Sequence, residues 1–240
     1  MRCFLPFLAL FFFLFQSIFL AQDRFVPPFL IDNLMTDKKV VALTFDDGPH
    51  AKNTEKILEI LKENQVRASF FLVGVHTLKY PALARKIYQH GHDIGNHSYA
   101  HLSYTTLNQD EVLMDLALSQ KVFKDTLGTF PSLFRAPYGR LRKSDEEILR
   151  RFFRHGVAWS IDPKDWESNA SQITAHILSR VAPGKIILCH EYNRAIIKAL
   201  PDIIEGIREK GYDFVTISQI VEEWNAASFA YQNDQDSTVR

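Results

Sequence analysis

The sequence predicts an α/β protein built on a parallel β-sheet. From Lys39 onward, short apolar runs alternate with longer segments that carry apolar residues at helical spacing. Continuous apolar strands joined by helices indicate a parallel sheet covered on both faces. The 240 residues suffice for one domain with a full core. The pattern alone does not decide whether the sheet closes into a barrel or stays open.

Seven stretches are predicted to be strands, because they are short, mostly apolar and bounded by polar or turn residues. They are Val40–Phe45, Ala68–Val73, Asp93–Asn96, Leu133–Arg135, Val157–Ser160, Ile186–Cys189 and Asp213–Val215.

Helical patterns occupy the intervals between these strands. The predicted helices cover residues 53–63, 81–88, 108–127, 144–154, 171–181, 195–210 and 218–224. Pro81 suits a first helical turn, and Gly91 follows the end of that helix. Ser144 followed by Glu147 matches a capping box, which predicts a helix that begins there and continues through Arg154.

The N-terminal residues 1–21 are predicted to be a signal peptide or a retained anchor. Arg2 supplies a positive charge, Cys3–Leu20 is almost wholly apolar, and Ala21 is a small residue at a cleavage site. The apolar run is also nearly long enough to span a bilayer. In either case we expect the chain to be exported, as a secreted, periplasmic or cell-envelope protein that is membrane-attached if residues 1–21 are retained.

Residues 22–38 are expected to form an N-terminal segment, residues 39–225 the main domain and residues 226–240 a polar tail. Lys plus Arg and Asp plus Glu both total 28, so net charge does not favour a nucleic-acid partner. The chain has only two cysteines, so an exported domain with Cys189 alone has no internal disulfide. Cys189 lies in an apolar run and is predicted to be a buried, inert thiol.

Polar residues follow five of the predicted strands. They are Asp46 and Asp47, His97 and His101, Arg135 to Gly139, Asp162 to Trp166, and His190. In parallel α/β folds, functional residues collect at the carboxyl ends of strands. Turn chemistry explains one or two such endings, but five together indicate a site.

His97 and His101 are four residues apart, which places both rings on one face of a helical turn. This spacing suits two ligands of one metal ion, although a pair of surface histidines is the simpler alternative. Asp47 offers a hard oxygen as the third ligand. Two histidines and one carboxylate are an arrangement for a catalytic zinc or a similar ion.

A metal ligand at Asp47 leaves Asp46 free to act as the base that takes a proton from water. His190 is the candidate acid for the leaving group. Asp165 is expected to hold a charged His190, and Arg135 to orient a carboxylate, either Asp165 or Asp46. The alternative for Arg135 and Asp165 is a structural ion pair.

The segments "TFDDGP", "HSYAH", "RAPYG", "DPKDW" and "LCH" resemble, in order and spacing, the five motifs of the polysaccharide deacetylases. This family is also called carbohydrate esterase family 4 or the NodB homology domain. The resemblance covers roughly Lys39 to Trp224. It implies a distorted (β/α) barrel and one divalent metal ion, with zinc expected first and cobalt, nickel or manganese as alternatives.

The resemblance also implies a role for each matching residue. The implied roles are base for Asp46, metal ligands for Asp47, His97 and His101, oxyanion donor for the Tyr138 N–H, supports for Arg135 and Asp165, and acid for His190. The residues implied at the substrate are Trp166, Leu188, Pro137 and Tyr138, and the rings of Trp166 and Tyr138 are flat enough to suit a sugar. Three positions depart from the family pattern: Leu102 and Ala136 where proline is usual, and Glu191 where aspartate is common.

We therefore expect an exported N-deacetylase that acts on N-acetylglucosamine units of a polysaccharide, with peptidoglycan favoured. Tyr138 resembles the residue of enzymes that act on N-acetylglucosamine, whereas the branch acting on N-acetylmuramic acid tends to carry arginine there. One alternative is an O-deacetylase of xylan or another acetylated glycan, and another is a chitooligosaccharide deacetylase. An inactive carbohydrate-binding module is an alternative of another class, but no base or ligand is missing.

Overall fold

Eight parallel strands form the sheet that carries the site. The sequence correctly predicts a parallel sheet but only seven of its strands. The structure is a computed structural model that describes residues 28–224. The strands are β1 (Leu30–Ile31), β2 (Val40–Gly48), β3 (Ser69–Leu72), β4 (Asp93–Asn96), β5 (Leu133–Phe134), β6 (His155–Val157), β7 (Ile186–His190) and β8 (Asp213–Phe214). Their order is β1-β6-β5-β4-β3-β2-β7, and β8 pairs with β2.

The two edges of the sheet approach each other, which makes the architecture a distorted (β/α) barrel. The Leu34 N–H donates to the Gly184 carbonyl at 2.7 Å, and Asn33 forms a bridge with Lys185. These contacts join the segment after β1 to the segment before β7. Closure by short bridges rather than a full ladder explains why the strand pattern alone could not choose between barrel and open sheet.

Helices connect the strands and cover the outside of the sheet. They are α1 (Thr54–Glu63), α2 (Gly74–Lys79), α3 (Pro81–Gln89), α4 (Gln109–Leu127), α5 (Glu146–Arg150), α6 (Ala170–Leu178), α7 (Arg194–Glu209) and a last helix over residues 217–224. The short elements β1 and α2 are absent from the sequence prediction. Between residues 28 and 224, no helix has the length and apolar character needed to cross a membrane.

The predicted helix 144–154 is wrong in its start, its end and its cap. A 3-10 turn precedes α5, and no side-chain cap forms at its start. The Asp145 carboxylate binds Arg142 instead, at 2.8 and 3.0 Å. The helix ends at Arg150, because the Arg154 N–H already donates to the Ser132 carbonyl at 2.8 Å on the way into the sheet.

The fifth predicted strand, Val157–Ser160, is displaced toward the N-terminus in the structure. The ladder partners of β6 lie in β1 and β5, and they pair with residues His155 to Val157. Sequence pattern could not place this strand, because its register depends on the unpredicted β1.

The largest hydrophobic cluster lies between the sheet and its outer helices. Phe45 and Phe70 stack within it with ring centroids 5.1 Å apart. Cys189 is fully buried in the same cluster, as predicted, and burial raises the pKa of its thiol well above the ordinary value. The predicted signal or anchor, residues 1–21, lies outside the described residues, and so does the predicted tail, residues 226–240.

Candidate active site and metal centre

A β-bulge at the end of β2 separates the roles of the two adjacent aspartates. In the pairing of β2 with β3, Asp46 faces Phe71 and Gly48 faces Leu72, so Asp47 is the extra residue. Its φ of 69° lies in the left-handed region, which residues other than glycine rarely adopt. The bulge lets the two neighbouring carboxylates reach different partners.

Asp47, His97 and His101 converge at this end of the sheet. Asp47 Oδ1 lies 3.0 Å from Nε2 of His101 and 3.4 Å from Nε2 of His97. The ligand atoms of the three residues all lie within 4.8 Å of one another. Asp47 Oδ1 is buried and has no hydrogen-bond partner, although buried polar atoms normally have one. The three predicted ligands therefore form a donor set that fits zinc or a similar divalent ion.

The surroundings of this group prepare it for a cation. Nδ1 of His97 lies 2.7 Å from the Arg135 carbonyl oxygen, which can only accept, so Nδ1 carries the proton and Nε2 is left for a metal. Burial raises the pKa of Asp47, but the imidazoles of His101 and His97 outweigh burial and hold that pKa well below its usual range. The oxygen that faces the two histidines is therefore charged.

The segment that carries the two histidines is a loop, not the helical turn that their spacing suggested. Ser98 has a φ of 69° and His101 a φ of 56°, both in the left-handed region. The side chain of Asn96 accepts the Ser98 N–H at 2.8 Å, and the Ser98 hydroxyl accepts the His101 N–H at 2.8 Å. These local bonds replace helical ones, and the two rings still stand 4.9 Å apart.

Arg135 is completely buried and binds Asp46. Its Nη1 lies 2.6 Å from Asp46 Oδ1 and donates to the Thr44 hydroxyl at 2.8 Å. Its other nitrogens donate to backbone carbonyls of Val157 and Ala158, at 3.2 and 3.1 Å. Asp46 Oδ2 lies 3.7 Å from His97 Nε2, so the second oxygen faces the metal group. Of the two predicted partners for Arg135, the structure selects Asp46.

His190 and Asp165 form the second pair of the site. Nδ1 of His190 donates to Asp165 Oδ1 at 2.7 Å, and the His190 backbone N–H donates to Asp165 Oδ2 at 2.9 Å. Burial lowers the pKa of His190, but the Asp165 carboxylate outweighs burial and raises it above the ordinary value. Asp46 and His190 are direct partners in the ladder between β2 and β7, so both pairs lie at one end of the sheet. An ion pair between Arg135 and Asp165 does not form.

The predicted substrate residues divide into exposed rings and buried walls. Trp166 is half exposed, and its ring meets that of His190 edge-on at 5.4 Å. Tyr138 is 61% exposed, has a φ of 60° and packs its ring 4.7 Å from that of His101. Leu188 and Pro137 are buried. The Trp166 ring thus borders the site beside His190, and the Tyr138 ring borders it beside His101.

Sequence reasoning noted Glu191 only as a departure from the family pattern and missed its place beneath the Asp46–Asp47 turn. Glu191 is fully buried, and its carboxylate accepts the Thr54 hydroxyl. Burial raises the pKa of Glu191 to about 8. A Cβ at Gly48 would lie 1.6 Å from Glu191 Oε1, so any larger residue there would displace the Glu191 carboxyl group. The longer side chain that departs from the family pattern fills the space under the turn.

Two aromatic residues beside the site were also missed. Nδ1 of His76 donates to the Asp47 carbonyl at 2.8 Å and so holds the bulge. Tyr192 is 44% exposed, with its ring 5.3 Å from that of His190. Neither residue lies in a recognisable spacing, so the sequence held no signal for them.

Comparisons with known proteins identify the family of this chain. Residues 33–156 match the family described as Polysaccharide deacetylase. A peptidoglycan-N-acetylglucosamine deacetylase of Bacillus cereus is 36% identical over 75% of this chain and 68% of its own length. The peptidoglycan-N-acetylglucosamine deacetylase PgdA of Listeria monocytogenes is 32% identical over 84% of this chain, which spans only 43% of that relative.

A solved structure extends the similarity to three dimensions. The peptidoglycan deacetylase PdaC of Bacillus subtilis is 33% identical, with a TM-score of 0.72 over 83% of this chain and 98% of that structure. The complete name of PdaC is peptidoglycan-N-acetylmuramic acid deacetylase. The motifs, the barrel and these matches lead to one conclusion: the chain belongs to the polysaccharide deacetylase family.

Proposed function

We propose that this protein is an exported, metal-dependent hydrolase that removes N-acetyl groups from N-acetylglucosamine units of peptidoglycan and releases acetate. The observation that carries this proposal is the meeting of three groups at one end of the sheet. These groups are the Asp47–His97–His101 donor set, Asp46 bound to Arg135, and His190 bound to Asp165. Metal, base and acid are the parts that a metal-dependent hydrolase of an unactivated amide uses.

A divalent ion held by Asp47, His97 and His101 supplies Lewis-acid activation of water and of the acetamide carbonyl when it is bound. Arg135 occupies Oδ1 of Asp46, so Oδ2 is left to accept the proton of the attacking water. Water oxygen bonds to the acetyl carbon, and the backbone N–H of Tyr138 donates to the developing oxyanion.

His190 completes the reaction as the acid. Because Nδ1 donates to Asp165, Nε2 carries the transferable proton of the charged ring. The raised pKa of His190 keeps that proton bound to a higher pH than in an ordinary histidine. The carbon–nitrogen bond breaks, the proton passes to the amine, and acetate and a glucosamine unit are released.

The sugar assignment is supported by Tyr138 and by the names of two relatives, while PdaC carries the name of the muramic acid enzyme. Peptidoglycan, chitooligosaccharide and acetylated xylan should be incubated with the enzyme and a divalent metal. We expect acetate from peptidoglycan, with mass spectrometry locating the lost acetyl group on glucosamine. Loss from the muramic acid unit, or release only from xylan, would refute the substrate.

Export is supported by the apolar segment Cys3–Leu20 behind Arg2 and by the location of peptidoglycan outside the cytoplasmic membrane. Fractionation of cells that express the full chain tests this. We expect the protein outside the cytoplasm, either shortened near Ala21 or bound to the membrane at full length. A full-length protein in the cytoplasmic fraction would contradict export.

A further inference from the structure

The loop that carries His97 and His101 needs support from outside itself. Two of its residues, Ser98 and His101, have positive φ, and local bonds from Asn96 and Ser98 satisfy only two of its N–H groups. A strained backbone persists only where its surroundings over-determine it. The N–H groups of Tyr99 and Ala100 lie between the two local bonds.

The side chain of Asp115, on α4, accepts both of these N–H groups. Oδ1 lies 2.9 Å from the Tyr99 nitrogen, and Oδ2 lies 3.2 Å from the Ala100 nitrogen. The Tyr104 hydroxyl also donates to Oδ1, at 2.7 Å, and fixes the carboxylate plane. One side chain of a long helix thus anchors the middle of the loop between the two histidines.

The opposite side of the loop is anchored by the start of α2. The Gly74 and Val75 N–H groups donate to the carbonyls of Ser98 and Tyr99, both at 2.9 Å. A Cβ at Gly74 would lie 3.0 Å from the Tyr99 Cα, so the loop and α2 are in close contact. The backbone is therefore clamped from both sides, and Asp115 is the only charged group in the clamp.

Packing of the hydrophobic core does not explain why an aspartate is buried at position 115. It is 7% exposed, and in residues 28–224 no lysine, arginine or histidine lies within ion-pair distance of it. A buried carboxylate without a cation is costly, and an apolar side chain would serve packing better. Its three hydrogen bonds go to the loop and to Tyr104, so its benefit lies there.

We propose that Asp115 is a positioning residue that presets the loop so that His97 and His101 meet Asp47 at a metal ion. It acts through the backbone of Tyr99 and Ala100 and touches neither metal nor substrate. The inference rests on the metal site of the proposed function. Side chains that hydrogen-bond directly to metal ligands typically change metal affinity by about 10–100-fold, and a residue that fixes the ligand loop is expected to act on the same scale.

The test is the Zn²⁺ affinity of Asp115→Asn in the full chain, measured without substrate by competition with a chromogenic chelator. Asparagine keeps the shape but turns an NH₂ group toward one of the two N–H groups, so at least one bond is lost. We expect affinity to fall about 10–100-fold. Turnover should recover at saturating Zn²⁺, which a general folding defect would not allow.

Asp145→Asn is the matched control. Asp145 is also fully buried, but it binds Arg142 at 2.8 and 3.0 Å and has no hydrogen bond to the loop. We expect a lower melting temperature and unchanged Zn²⁺ affinity. If Asp115→Asn does not fold, Tyr104→Phe decides, because it removes one bond to Oδ1 and should lower the affinity less but in the same direction.

The inference is overturned if folded Asp115→Asn binds Zn²⁺ with unchanged affinity, or if Asp145→Asn loses affinity equally. If Asp115→Asn does not fold, unchanged Zn²⁺ affinity in Tyr104→Phe would also overturn it. A wild-type chain that binds no divalent ion would be a different failure. It would refute the metal site of the proposed function itself, and this inference with it.

Discussion

The proposed metal-binding half of the site and its proposed acid half are held in place by different means. Two of the three candidate metal ligands, Asp47 and His101, have left-handed φ angles of 69° and 56°. In the acid half, His190 ends the regular strand β7, and one carboxylate, that of Asp165, holds both its ring and its backbone.

The difference follows from what each half must do. A metal site needs three side chains from separate segments to meet within 4.8 Å, and the backbone adopts rare conformations to achieve this. An acid needs one ring and one partner. The metal half should therefore fail through loss of the ion, and the acid half through a change in pKa while the ion stays bound.

The largest effect is expected from His97→Ala. Removal of a buried ligand leaves two donors for the ion, so both metal and turnover should be lost. Elemental analysis after dialysis against a moderate chelator measures this. His176→Ala, which changes a partly buried histidine on α6, should retain the metal. Full metal occupancy in His97→Ala would refute the ligand assignment.

Asp46→Asn tests the residue that lies between the two halves. The variant keeps its shape beside Arg135 but no longer accepts a proton, so turnover should fall by about 10²–10⁴-fold. Metal content should be unchanged, because Asp46 is not a ligand. Near-normal turnover, or loss of the metal together with activity, would show that Asp46 is not the base.

Asp165→Asn should change the pH dependence of the acid half. The pKa of His190 is raised by Asp165, so the charged acid persists to higher pH than in an ordinary histidine. Without that charge the pKa falls, the proton is lost at lower pH, and the alkaline limb of the kcat profile should move to lower pH. Exposed Asp202→Asn is the control. If the alkaline limb of the kcat profile does not move in Asp165→Asn, His190 is not the acid.

The smallest effect is expected from Trp166→Ala. Its half-exposed ring beside His190 offers a stacking face for a sugar, and aromatic contacts contribute about 0.5–1.5 kcal/mol. KM for an oligosaccharide should rise about two- to tenfold with little change in metal content. Tyr88→Ala removes a ring of similar exposure on α3 and should leave KM unchanged. If both variants raise KM equally, the assignment of Trp166 as a substrate-binding residue is wrong.

Much of this outcome could be predicted from residues close together in the sequence. The alternation of apolar runs and helical segments predicted the parallel sheet, and the polar residues at strand ends predicted where Asp46, Asp47, His97, His101 and His190 meet. Local sequence failed at the fifth strand, because that strand is displaced to pair with the distant β1. It also misplaced the start of α5, where a 3-10 turn precedes the helix and no side-chain cap forms.

By itself, the sequence determined the reactive groups and their order along parallel strands, because strand ends and motif spacing are properties of short segments. Only the tertiary structure decided the closure of the sheet, the choice of Asp46 as partner of Arg135, and the anchoring of the histidine loop by Asp115. Each of these depends on contacts between residues far apart in the chain. Spacing could suggest that His97 and His101 share a face, but the fold makes them meet through a strained loop.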